Sequence, residues 1–101
     1  MSAISKQQIH DDILAHIKQE GGTFSSWYVG IASDPQQRVF EDHQVPKENA
    51  WFIIREAFSS HDAREVEKFI LETYKTDGGT GGGDNTTKFV YAYKKTAHTN
   101  P

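Results

Sequence analysis

The sequence predicts an α+β domain: a small three-stranded sheet with three helices packed on it. Apolar residues recur at helical spacing in two long segments, strand-like alternation or an apolar run marks three others, and cap or stop signals bound each of them. At 101 residues the chain has the length of one domain with a modest core. That domain is expected over residues 1–95, with "TAHTNP", 96–101, as a flexible tail.

The first helix starts after Ser5, whose hydroxyl suits a cap, and runs to about Glu20. Ile9, Ile13, Leu14 and Ile17 form one stripe, His10 and His16 fall on the exposed side, and Gly21-Gly22 end the helix. A strand follows from about Phe24 to Ile31. Trp27, Val29 and Ile31 share its core face, and Ser26, Tyr28 and Gly30 share the other. A phenol beside a glycine either leaves room for something to approach or is a half-buried tyrosine covering the sheet. Asp34-Pro35 opens a short second helix, with Gln37 at the capping-box position, ending near His43 and before Val45-Pro46.

"AWFIIREAF", Ala50 to Phe58, is apolar on both faces and reads as a covered strand. Ser59 or Ser60 caps a third helix running to about Lys75, on which Ala63, Val66, Phe69, Ile70 and Tyr74 cluster on one side. Glu67 falls inside that apolar arc, whereas Glu65 and Glu72 point away from it. Burying a carboxylate costs several kcal/mol unless it is paired or binds a cation. Its expected partner is either an arginine in a structural ion pair or a divalent metal, for which a hard oxygen ligand is suited. "TDGGTGGGDNTT" is a loop placed to act as a flap, and it lacks the spacing of a phosphate-binding loop. "KFVYAYK" is the last strand, with Phe89, Tyr91 and Tyr93 on one face and Val90 and Ala92 on the other.

Composition narrows the function classes. No cysteine is present, so disulfides and thiolate metal sites are excluded. Apolar runs are too short for a membrane span and the N-terminus carries no signal pattern, so a cytoplasmic protein with no membrane partner is expected. A net charge of -3 argues against avid nonspecific nucleic-acid binding unless Arg38, Arg55, Arg64 and Lys68 share a face.

Tyr28-Val29-Gly30, Arg38 ten residues after the tyrosine, and Glu67 within "AREVEKFI" resemble, in order, the motifs of the GIY-YIG nuclease family. The resemblance covers Trp27 to Tyr74. It implies a metal-dependent endonuclease that cleaves phosphodiester bonds of DNA, with Glu67 holding one Mg²⁺ or Mn²⁺ on the scissile phosphate. Tyr28 would help activate the attacking water, and the Arg38 fork would steady the phosphate. His43, five residues after Arg38, either resembles a substrate-binding histidine often found there or is a surface residue. The family's later asparagine, also on the substrate side, would be Asn85. A catalytically degenerate module binding a protein or nucleic-acid partner is the alternative, and a structural module with Glu67 paired to arginine is the third reading.

The family's first motif should lie on a strand about ten residues before Tyr28, where this chain has "AHIKQEGGTF". The remaining tyrosine-bearing strand is "KFVYAYK". The expectation is therefore a circular permutation in which this strand pairs beside the Tyr28 strand and brings Tyr91 or Tyr93 next to Tyr28, the alternative being that these tyrosines simply pack a sheet face. Tyr91 is taken as the catalytic partner and Tyr93 as a substrate-side residue.

Overall fold

The computed structural model describes residues 3–45, 51–78, 86–96 and 99. The glycine loop with Asn85, and most of the expected tail, lie outside these residues.

Helix α1, Lys6–Glu20, is capped by the Ser5 hydroxyl, which accepts from the Gln8 amide at 3.2 Å. It stops at Gly21, whose φ of 86° lets its amide return to the Ile17 carbonyl at 2.8 Å. Ile9, Ile13 and Ile17 are buried in the core, while Leu14 stays at its margin. The exposed placement expected for His10 and His16 is corrected. His10 is bonded to the Tyr74 hydroxyl at 2.9 Å, and His16 meets the Trp27 ring edge-on at 5.5 Å. Imidazole is small and amphipathic enough to flank an apolar stripe, which periodicity alone does not register.

Strand β1 is Trp27–Ala32, shorter at its start than expected. Phe24–Ser26 forms a 3₁₀ turn instead, because the Thr23 hydroxyl bonds the hydroxyls of Ser25 and Ser26 and competes with strand pairing. After Asp34 caps the Gln37 amide at 3.2 Å, the chain widens into a π-helix over Gln37–Asp42. Its widened bond runs from the His43 amide to the Arg38 carbonyl at 2.9 Å. Helix α2, Ser60–Tyr74, is capped by Ser59, and buries Ala63, Val66, Glu67 and Ile70. Phe69, expected in this stripe, is 51% exposed. It lies at the rim, edge-on to His10 at 5.5 Å.

The sheet has four strands, not three, in the order β2-β4-β1-β3. β2 is Phe52–Glu56, β3 is Asp77–Gly78 and β4 is Phe89–Lys94. β4 runs antiparallel to both β1 and β2 and is central. The unforeseen strand β3 runs parallel to β1, opposite Tyr28 and Val29. Glycine permits this approach: a Cβ at Gly78 would stand 2.6 Å from the Val29 carbonyl oxygen. "DGG" therefore reads as a turn although its first two residues pair.

Alternation along the strands divides the interior in two. Trp27, Val29, Ile31, Ile53, Val90 and Ala92 face α1 and α2 in one cluster. Tyr91, Tyr93, Ile54 and Ala32 face the other way, against Val39 and Val45, with Tyr28, Phe40, Phe52 and Phe89 packed around them. β2 is thus covered on both faces even though it is an edge strand. No helix among the described residues is long and apolar enough to cross a membrane.

Candidate functional site

The site grows out of the β1–β4 register. Antiparallel pairing sets Tyr28 opposite Tyr93 and Gly30 opposite Tyr91. The Tyr28 ring stacks on that of Tyr93 at 5.2 Å and lies 6.3 Å from that of Tyr91. The space left by Gly30 is occupied by the chain's own phenol. A Cβ on Gly30 would meet the Tyr91 hydroxyl at 2.5 Å and its Cζ at 2.6 Å. A glycine two residues after Tyr28 is what lets a second tyrosine lie flat across the strand.

The π-helix delivers His43 under these rings. His43 is 6% exposed, so the surface reading is corrected. Its Nε2 lies 2.9 Å from the Tyr91 hydroxyl and its Nδ1 2.9 Å from the Tyr93 hydroxyl. The Tyr28 ring covers it at 4.7 Å. Tyr93 is wholly buried and both ring nitrogens of His43 are engaged by tyrosines. Tyr93 and His43, expected on the substrate side, together form a buried hydrogen-bonded unit beside Tyr28 and Tyr91. The sequence signal for it was the apolar setting of His43 between Val39 and Val45, both buried.

Burial raises the phenols of Tyr91 and Tyr93 above the ordinary range, and neighbouring Tyr28 pushes both further up. Both hydroxyls therefore hold their protons at neutral pH. The Tyr91 hydroxyl also feels the charges of Arg38, which lowers its pKa, and of Glu67 and Asp42, which raise it. Tyr91 thus links the aromatic cluster electrostatically to the two charged candidates.

Arg38 is half-exposed and paired with Asp42 one helical turn on, at 3.2 Å. Both line a pocket of about 250 Å³ with Ala32, Ser33, Gln37 and Thr87. Ser33 Oγ lies 3.1 Å from the buried Thr87 hydroxyl at its wall. Asp42, Ser33 and Thr87 were not singled out by sequence reasoning, although the Arg38–Asp42 spacing is a helical ion-pair spacing. The hoped-for basic face does not include Arg55, which is committed to Asp12 of α1 at 2.9 Å and to the Ile54 carbonyl.

Glu67 is 8% exposed. Burial pushes its pKa up to about 7, while the nearby Arg64 charge offsets this only in part. No hydrogen bond or ion pair reaches the Glu67 carboxyl among the described residues, so the structural arginine pair expected as one alternative is not formed there. Nor do the described residues gather three or more His, Asp or Glu side chains that could cage a metal. A buried carboxylate that makes no hydrogen bond or ion pair among the described residues nonetheless suits one hard divalent cation, because Mg²⁺ and Mn²⁺ sites commonly use one or two carboxylates with water and phosphate oxygens completing the shell.

Comparison with protein-family models, curated proteins and solved structures returns no match to this chain.

Proposed function

We propose that the Tyr28 face is a phosphodiester-hydrolysing site of permuted GIY-YIG type, acting on DNA. The observation that carries the reading is the register of β4 on β1, which sets Tyr91 across Gly30 and beside Tyr28 while its hydroxyl feels Arg38 and Glu67. In this reading β4 stands in for the family's N-terminal tyrosine strand, and α1 is an addition covering the sheet.

Glu67 would hold a single Mg²⁺ or Mn²⁺, which when bound supplies Lewis-acid polarisation of the phosphoryl oxygens. Arg38 binds a non-bridging phosphate oxygen through its fork after exchanging its contact with Asp42. Tyr91 keeps its proton and orients water or phosphate by hydrogen bonding, and Tyr28, the more accessible phenol, stacks beside it. A degenerate module that binds a partner without cleavage is the second reading. It is favoured by the net charge of -3 and by the deep burial of Tyr91.

The deciding experiment is a cleavage assay on branched, single- and double-stranded DNA with Mg²⁺ or Mn²⁺. Wild type should cleave at least one of these in a metal-dependent way, and Glu67→Gln should lose about 10²-fold or more in rate. Binding without cleavage in both proteins would favour the module.

A further inference from the structure

We infer that Asp42 is a specificity-determining residue, and that the pocket it shares with Arg38 takes one unpaired guanine next to the phosphate that Arg38 binds. The inference rests on the phosphodiester reading for that phosphate. It narrows the substrate to single-stranded DNA bearing guanine.

The pocket lies where β1 runs on toward the π-helix. Ile31 and Ala32 line it from β1, Arg38 and Asp42 from the π-helix, and Thr87 from the segment before β4. Its volume of about 250 Å³ falls just below the range of about 300–1,000 Å³ common for sites that take whole drug-sized ligands. That is room for one ring system, not for a run of stacked nucleotides.

The charges at its wall do not suit a phosphate alone. Asp42 Oδ2 stands 3.2 Å from Arg38 Nε. Asp34, whose carboxylate caps the Gln37 amide, is a second acid on the wall. A phosphate that draws the guanidinium away sets its own charge beside the carboxylate that Arg38 has just left, and like charges at that range repel. The substrate that separates the pair most easily brings a hydrogen-bond donor for Asp42 together with the phosphate for Arg38.

Among the four bases, guanine alone carries two adjacent donors, N1–H and the N2 amine, which match the two oxygens of one carboxylate. Adenine and cytosine each offer one amine beside a bare ring nitrogen that a carboxylate repels, and thymine offers one N–H between two carbonyls. The hydroxyls of Ser33 and Thr87, 3.1 Å apart, are donors of the kind that the guanine O6 accepts. In a duplex the N1 and N2 edge is hidden by base pairing, so only an unpaired guanine is read. A cation bridging Asp42 and the phosphate would relieve the same repulsion, but without regard to the base.

The test is fluorescence anisotropy with short single-stranded thymidine oligonucleotides carrying one central guanine, adenine, cytosine or thymine, without divalent cation so that no bond is cut. Wild type should bind the guanine strand about tenfold more tightly than the other three, as a bidentate pair discriminates. Hypoxanthine in place of that guanine, lacking only the N2 amine, should remove most of the preference. Asp42→Asn turns an amide N–H against the guanine donors, so it should bind all four strands alike. Equal affinity of wild type for the four strands, or no binding to any of them, would overturn the inference. So would a preference that hypoxanthine preserves, one that survives in Asp42→Asn, or a folded Asp42→Asn that binds no strand. If Asp42→Asn does not fold, the hypoxanthine strand decides on wild type alone. If guanine is preferred but nothing is cut once Mg²⁺ or Mn²⁺ is added, the cleavage reading fails while the pocket stands. If strands are cut without regard to guanine, the pocket fails while the cleavage reading stands.

Discussion

On the helix side of the sheet, Val29, Ile31, Val90 and Ala92 meet the isoleucines of α1 and α2 in an apolar core. On the other side the same strands present Tyr28, Tyr91 and Tyr93 to a buried histidine and a charged rim. Each strand contributes to both faces through a period of two. The first face needs volume and apolarity and tolerates substitutions that keep both. The second needs particular atoms at particular places, since every buried hydroxyl and nitrogen must find a partner. The contrast explains why a chain with so modest a core carries so many tyrosines on one side of its central strand: that side is specified by hydrogen bonds, the other by packing.

Truncating the helix side should cost the most stability and disturb the site least. Ile70 is fully buried, and Ile70→Ala should lower unfolding free energy by about 3 kcal/mol in urea titration. Its Tyr28 and His43 NMR signals should stay near those of the wild type. Equal disturbance of both faces would break the comparison.

Glu67 is buried on α2, next to Val66 of the helix-side core. Its folded pKa, near 7, stands above the carboxylate value of 4.5, so the folded state binds more protons between those two pH values. Stability should therefore fall as pH rises through that window and level off above about 7. The total loss should be about 2 kcal/mol, less than the full equivalent of the shift because solvent partly screens the carboxyl. Glu67→Gln should abolish this slope and be more stable than wild type by a similar amount above pH 7. A wild-type stability that rises with pH across the window would contradict a burial of Glu67 that Arg64 offsets only in part.

Gly30→Ala should be slightly milder for stability and severe for the site. Overpacking costs about 1–3 kcal/mol, and the new methyl meets the Tyr91 phenol, so the Tyr91–His43 contact should be lost. Near-ultraviolet circular dichroism should report the displaced rings. Unchanged aromatic signals would mean that glycine is not what seats Tyr91. Arg38→Lys should change stability by less than about 0.5 kcal/mol, because an exposed ion pair contributes little. It should nevertheless weaken sulfate or phosphate binding measured by calorimetry, through loss of the fork. Equal anion affinity in both proteins would remove Arg38 from the site.

The caps at Ser5 and Ser59, the alternation in β1 and β4 and the neighbour relation of those two strands were legible in the chain. Each depends on local periodicity or on a pairing demanded by an unfilled sheet edge. Strand β3 was not legible, because a two-residue parallel pairing at Asp77–Gly78 is decided by what Gly78 can approach, not by its propensity. For a related reason His43 was legible only through its apolar flanks, Val39 and Val45, and its tyrosine partners not at all. Its burial comes from the widened π-helix and from hydroxyls 48 and 50 residues away. Glu67 was found because a carboxylate in an apolar arc conflicts with its surroundings, and such conflicts mark sites more reliably than agreement does.

The central proposal is that the buried Glu67 carboxylate of α2 holds a divalent cation. The most direct measurement is the thermal midpoint of wild type and Glu67→Gln with and without Mn²⁺, well below and well above pH 7. Wild type should be stabilised by Mn²⁺, and more strongly above pH 7, because the cation must displace the proton that the buried carboxyl retains below it. Glu67→Gln should show no Mn²⁺ response at either pH. A wild type indifferent to Mn²⁺, or a variant that responds as wild type does, would contradict the account.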